Sequence, residues 1–241
     1  MKKWKTPGGM TYNLFTDMAK QTHLLVAGAT GSGKSVVVNG IINTILRTCT
    51  PNNAQFILID PKRVELSPYR HLPHTICYAS EPEDMISALQ YAMTICDKRY
   101  IEMQRRSERK YSGGDIYVII DEWADLMTTN KRAAAPLVQR LAQIGRASKV
   151  HVILCTQTPV AKIIPTEIKC NFDSRVGLRT RSAQDSRNIL GHSGLEMLPL
   201  YGQGVYMTPY GETLYYIPYI DDNEQIRVIE HWNKQTRRWF W

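Results

Sequence analysis

Gly28, Gly33, Lys34 and Ser35 in GATGSGKS (28–35) have the Gly-x-x-x-x-Gly-Lys-Ser spacing of a loop that cradles a nucleoside triphosphate. Gly28, Gly31 and Gly33, with Thr30 and Ser32 between them, let backbone N–H groups curl around phosphate oxygens. Lys34 is placed to reach the β- and γ-phosphates, and Ser35 to ligate Mg²⁺. A helical run, VVVNGIINTIL, follows, and its N-terminus adds a positive dipole end. ATP and Mg²⁺ are therefore the expected ligands. Downstream, YVIIDEW delivers two adjacent acids to a strand end. Asp121 is placed to hold the Mg²⁺ shell, and Glu122 to polarise an attacking water. The doublet points to hydrolysis rather than binding alone. Gln157, in CTQTP at another strand tip, is placed to sense the γ-phosphate.

These residues need a sheet to bring them together. HLLVAG (23–28), QFILID (55–60), YVIID (117–121), HVILCT (151–156) and SRVGLR (174–179) read as buried strands. Their Val, Ile and Leu density suits a parallel sheet covered on both faces. Helices are expected at 34–47, 83–106 and 136–147; in the last, Leu137, Leu141 and Ile144 make one apolar face. Strand–helix alternation of this kind gives a three-layer α/β domain. After residue 200, alternating aromatics with Gly and Pro predict a β-hairpin turning near Pro209-Tyr210-Gly211. A final helix is expected at about 223–238, ending in RRWFW. That basic, aromatic tail is either a frayed end or a partner contact.

Composition sets outer bounds. The net charge of +8 is compatible with a polyanionic partner without naming one. The five cysteines show no metal-ligand spacing and read as reduced, mostly buried thiols. No apolar run approaches the roughly 18–20 residues of a membrane span. The basic N-terminus lacks the apolar stretch of a signal peptide. The expectation is a soluble, cytoplasmic chain, with membrane attachment only through missing segments or partners.

Several stretches then fall in a telling order: HLLVAGATGSGKSVVVN, LIDPKRVEL, DEWADLM, RLAQIGRASKVHVILCTQTP and DSRNILGHSGLEMLPLYGQGVYM. Together they resemble the motor domain of the FtsK/SpoIIIE family of DNA translocases, over roughly residues 10–220. The resemblance implies a RecA-like P-loop fold with a mostly parallel sheet, a C-terminal β-hairpin and a helix. It divides the chain into a lead-in (1–20), a motor domain (21–222) and a helical tail (223–241). It also implies a homo-oligomer, a hexameric ring with ATP between neighbours and double-stranded DNA in the channel. Such rings need an arginine supplied in trans. Arg146 matches that position, with Arg175 and Arg187 as alternatives; a helix C-terminal arginine serving only the dipole is the plainer reading of Arg146.

The family's channel loop corresponds to TPVAKIIPTEIKCNF (158–172), which offers Lys162 and Lys169; Arg179, Arg181 and Arg187 follow. These are the expected DNA contacts, directed at phosphates because a motor working on any sequence should ignore base edges. Here the sequence departs from the family. Thr158 stands where an arginine is usual, and Ala183 and Gln184 stand where a lysine is usual. A path through Arg179 and Arg181 would compensate. The basic run DKRYIEMQRRSERKY (97–111) is interleaved with Glu102 and Glu108 and reads as a solvated helix face. Asp60 and Lys62 form either a polar link between the nucleotide site and the channel or a simple strand cap.

Family members commonly add membrane spans and a DNA-reading module, and neither is visible. The chain reads as a shortened motor or a minimal motor from a mobile element, with DNA transfer preferred over chromosome segregation. The rival class is a type VII secretion-like ATPase moving a protein. A degenerate ring member that only scaffolds fits poorly with intact Lys34, Asp121 and Glu122.

Overall fold

The computed structural model describes residues 14–217 and 222–238. The elements are α1 (Leu14–Ala19), β1 (His23–Ala27), α2 (Lys34–Thr48), β2 (Ala54–Ile59), β3 (Thr75–Ala79), α3 (Pro82–Arg106), β4 (Asp115–Ile120), α4 (Trp123–Thr129) and α5 (Lys131–Ser148). They continue with β5 (Val150–Thr156), α6 (Thr166–Lys169), β6 (Ser174–Leu178), α7 (Ala183–Leu190), β7 (Gln203–Thr208), β8 (Gly211–Tyr216) and α8 (Asp222–Arg238).

The strands of the described residues join one eight-stranded sheet in the order β3-β2-β4-β5-β1-β6-β7-β8. The first six run parallel, and the β7–β8 hairpin closes the far edge antiparallel. Apolar side chains on both faces of β1, β2, β4 and β5 are buried, so helices must cover both. One face packs on α1 and α2, where Val37, Val38, Ile41, Ile42, Ile45 and Leu46 repeat at helical spacing. The other packs on α3, α4 and α5 through Leu89, Trp123, Val138 and Leu141. The mostly parallel three-layer arrangement expected from strand–helix alternation is present.

Local differences have physical causes. β3 is additional to the expected strands: TICYA lies at the sheet edge, and all of it but Ala79 is only half-buried. β4 is consequently the fourth strand in the chain, not the third. The helix expected from 136 begins at Lys131, with Pro136 inside it. A proline near a helix start removes only one ladder bond, and the buried Ala134 and Val138 flanking it keep the helix seated. α4 is also additional; Asn130 separates it from α5. The last turn of the lead-in is part of the core: Phe15 fills the space beside Gly40, where an added Cβ would lie 2.5 Å from its ring. Trp232 of α8 donates its indole N–H to Leu46 O (2.9 Å), tying α8 to α2. The rest of the lead-in (1–13) and the Trp-Phe-Trp end of the tail lie outside the described residues.

Candidate nucleotide site

In a parallel sheet, ligands bind beyond the carboxyl ends of the strands. β4, β5 and β1 are consecutive neighbours, so the segments leaving them converge. Those segments carry the acids, Gln157 and the glycine-rich loop.

The loop's shape is built from glycines. Gly31 and Gly33 have φ of 77° and 98°, in the left-handed region that glycine enters at least cost. Gly28 is packed too tightly for a side chain: a Cβ there would lie 2.6 Å from both Leu178 Cβ and Ser32 Oγ. Ala29 N donates to Arg179 O (2.8 Å), and Gly28 N to Thr156 O (3.3 Å), anchoring the loop to both neighbouring strands. Lys34 and Ser35 then open α2, whose first amides have no partner within the helix.

Lys34 is buried, with its ammonium 2.5 Å from Asp121 Oδ1 and 2.7 Å from Asp121 O. Burial works against the charge, but the Asp121 and Glu122 carboxylates hold it above the ordinary lysine value. Glu122 is also buried, and its carboxylate is held from three directions. Thr156 Oγ1 donates to Oε1 (2.9 Å), Gln157 N donates to Oε1 (3.1 Å), and Lys62 Nζ donates to Oε2 (3.3 Å). Gln157 turns its side chain to the loop and accepts from Thr30 Oγ1 at 2.8 Å. Partial burial raises the Asp125 pKa, with Glu122 and Asp121 adding to it and Lys62 opposing it.

The residues present fit Mg²⁺. Ser32 Oγ is buried beside the loop without a hydrogen-bond partner. Lys34 and Asp121 neutralise each other across their ion pair. No group of three or more His, Cys, Asp or Glu side chains clusters as metal ligands among the described residues. Mg²⁺ takes few protein ligands and relies on substrate phosphates and water, so a hydroxyl and one carboxylate are a sufficient set. Ser35 and Asp121 are the side chains that would hold it.

Thr156 is a part of this site that the sequence did not single out for it. Thr156 sits one residue before Gln157 and gave no separate signal. The two halves of the Asp60/Lys62 question separate. Asp60 is the strand cap: its Oδ2 accepts from Leu66 N (3.0 Å) and Tyr78 OH (3.4 Å). Lys62 is the one that reaches the nucleotide site.

Arg146 is exposed in the last turn of α5. Its neighbour Gly145 packs on Val150 and His23, which begin β5 and β1. Arg146 therefore lies at the opposite edge of the sheet from its own phosphate loop. Arg175 is committed elsewhere: it donates to Phe172 O (2.9 Å), Ile189 O (2.9 Å) and Lys169 O (3.2 Å). Arg187 is exposed, with its guanidinium on Gln184 Oε1.

Among the cations expected to contact DNA, Lys162 and Arg181 are exposed and Arg179 is half-buried. Lys169 instead donates to Asn188 O (3.2 Å), near the C-terminus of α7. The basic run 97–111 divides: Glu102 and Arg106 pair on the surface of α3, whereas Arg99 is buried against Ser148 O (2.7 Å).

The FtsK/SpoIIIE family model matches residues 6–115 and 112–161. The chain belongs to the FtsK/SpoIIIE family. Its curated relatives include the DNA translocase FtsK of Pseudomonas syringae pv. tomato, 34% identical over 91% of this chain and 32% of that protein. The DNA translocase FtsK of Rickettsia prowazekii is 33% identical over 90% of this chain and 35% of that protein. The chain thus spans about a third of the length of these relatives. Among solved structures, the pCW3 conjugation coupling protein TcpA, in monomer form with ATPγS, superposes with a TM-score of 0.75. It is 24% identical, covering 89% of this chain and 66% of that one. The cytoplasmic domain of the Thermomonospora curvata type VII secretion ATPase EccC gives 0.74 at 20% identity, over 87% of this chain and 28% of that one. These likenesses show the fold of P-loop ATPases. No helix among the described residues is long and apolar enough to cross a membrane.

Proposed function

We propose that this chain is the ATP-hydrolysing motor domain of a translocase that moves double-stranded DNA, working as a ring of copies with ATP between neighbours. The observation that carries the reading is the joint placement of Lys34, Asp121 and Glu122 at one sheet edge, in a chain one-third identical to FtsK translocases.

The residues divide the work. The amides of 28–35 and the Lys34 ammonium bind the β- and γ-phosphates. Bound Mg²⁺, held by Ser35 and Asp121, would neutralise charge on those oxygens. Glu122 orients the attacking water and accepts its proton at a carboxylate oxygen. Gln157, bonded to Thr30 of the phosphate loop, reports phosphate occupancy to the 158–172 segment that follows it. Arg146 cannot serve its own site from the opposite sheet edge; exposed there, it suits a neighbour's site. Lys162, Arg179, Arg181 and Arg187 are the candidate DNA contacts, and Lys169 is a weaker one because it is already bonded. DNA transfer is preferred to chromosome segregation as the host process.

The EccC likeness gives the protein-cargo reading a structural footing, at fold level. ATP hydrolysis at low salt, with and without long linear duplex DNA, separates the two. A severalfold stimulation that fades as salt rises supports the DNA motor. Turnover indifferent to duplex, in samples that cross-linking shows to be ring-assembled, rejects it.

A further inference from the structure

Beyond the exit of β2 the chain folds back on itself. Arg63 N donates to Asp60 O (3.1 Å), Leu66 N to Asp60 Oδ2 (3.0 Å) and Ser67 Oγ to Val64 O (3.1 Å). Arg63 is held at φ 58°, in the left-handed region that is uncommon for a residue with a side chain. Such a conformation persists where the surrounding bonds over-determine it, and often where it serves a function.

This loop bounds a cavity of about 550 Å³, lined by Arg63, Ser67, Arg70, His71, Tyr78 and Ser80. It lies at the β2–β3 side of the sheet, with β4 and β5 between it and the strand that carries the phosphate loop. The Ser67 and Tyr78 hydroxyls are spent on Val64 O and Asp60 Oδ2, which leaves two guanidinium groups and the Ser80 hydroxyl as donors matched to phosphate oxygens. Both cations act on one point. Burial and Asp60 raise the Tyr78 phenol above its ordinary pKa, while Arg70 and Arg63 pull it down. Two anions border it: Asp60 is turned to the Leu66 amide and the Tyr78 phenol, whereas Glu81 pairs with Arg63 through side chains that are 54% and 60% exposed. An exposed pair of this kind adds little stability, so a more highly charged ligand can displace the glutamate.

We propose that this cavity is a second phosphate site, separate from the phosphate loop, and that its ligand is a backbone phosphate of duplex DNA. The site stands on the cavity itself; the duplex as its source rests on the reading of the chain as a DNA motor. The same loop carries Lys62 to Glu122, so an occupant here lies one short rigid segment from the hydrolytic acid.

The test uses the whole chain saturated with ADP, which fills the phosphate loop. Inorganic phosphate is titrated by calorimetry, and a labelled short duplex by anisotropy at several salt concentrations. Arg63→Ala/Arg70→Ala should abolish the phosphate heat, weaken duplex binding about tenfold and make its salt dependence shallower by about one to two charges. Glu81→Gln should act in the opposite direction and tighten both, which loss of folding cannot mimic. Unchanged ADP affinity and thermal midpoint certify the variants. Lost phosphate heat with unchanged duplex affinity keeps the site and overturns duplex DNA as its source. Phosphate and duplex binding that neither variant alters overturns the site. If the wild-type chain ignores duplex altogether, the motor reading fails, and the phosphate titration alone decides the cavity.

Discussion

Lys62 leaves the sheet after β2 and Glu122 after β4, yet the Lys62 ammonium lies 3.3 Å from Glu122 Oε2. The glutamate is 3% exposed and the lysine 42%, so a solvent-reaching cation steadies a buried acid. Thr156 and Gln157 N hold the other side of the carboxylate. Removing Lys62 therefore leaves Glu122 anchored but able to rotate. Lys62→Ala should lower kcat about tenfold, since small misplacements of a catalytic group are costly. ATP affinity should stay within about twofold, because Lys62 bonds to the acid and not to the loop that holds phosphate. A matching rise in the dissociation constant for ATPγS would place Lys62 in nucleotide binding instead.

Much of this site was legible because its parts occupy fixed places relative to strand ends. The glycine loop, Asp121 and Glu122 each follow an apolar run, and a parallel sheet brings such ends to one edge. What stayed hidden depended on tertiary contact. β3 has a short apolar run, Ile76 to Ala79, but it lies at the sheet edge, where pairing with β2 and not its own residues makes it a strand. Arg175 reads like any other cation in SRVGLR; only the fold shows that three backbone carbonyls occupy its guanidinium. Lys62 and Asp60 are neighbours in sequence with opposite fates. That split follows from the turn at Pro61, which sends one inward under Leu66 and the other across to β4.

The buried Lys34–Asp121 pair makes a prediction separate from chemistry. Lys34→Ala should abolish ATP turnover. It should also destabilise the nucleotide-free chain by about 3–5 kcal/mol, because Asp121 is left buried and unpaired. Lys34→Ala/Asp121→Ala should recover much of that stability and none of the turnover. Denaturant unfolding of the three proteins checks this; a double variant no more stable than the single one would show that the pair is not what holds Asp121.

Arg146, exposed at the edge of the sheet opposite its own phosphate loop, gives a complementation test. Arg146→Ala should reduce turnover by about 10³-fold while nucleotide binding holds. Lys34→Ala is inactive for a different reason. Mixed, the two should regain partial activity, because some interfaces then combine an intact Lys34 with an intact Arg146. Absence of any recovery, with mixed assembly shown by cross-linking, would move the trans arginine elsewhere.

His23 opens β1 at the buried end of the sheet, where its Nδ1 accepts from Val152 N at 3.1 Å. Burial, with help from the nearby His151, pushes its pKa down from 6.5 to about 3. The unfolded chain therefore binds a proton that the folded chain refuses between those two values. Stability is full above about pH 6.5 and falls as pH drops toward 3, by about 1.4 kcal/mol per unit in that window. His23→Gln keeps an acceptor for Val152 N and has nothing to protonate. Its denaturation midpoint should vary less between pH 7 and pH 4 than that of the wild type. Equal slopes would assign the acid sensitivity to other groups.

Lys162 and Lys169 were equal candidates for gripping DNA, and the structure separates them. Lys162 is exposed, whereas the Lys169 ammonium donates to Asn188 O beside the end of α7. Arg175 donates to the next carbonyl, Ile189 O, so two cations cap one helix terminus where the dipole is negative. Lys162→Ala should leave the unfolding midpoint alone, weaken duplex binding without regard to sequence and reduce the salt slope by about one. Lys169→Ala should lower stability by about 0.3–1 kcal/mol through loss of the cap, whether or not DNA is present. Its effect on duplex binding should be the smaller of the two, because reaching a phosphate requires giving up the carbonyl it already holds. If Lys169→Ala instead weakens duplex binding more than Lys162→Ala does, with an unchanged unfolding midpoint, the Asn188 bond is released when DNA binds, and the 158–172 segment moves with it.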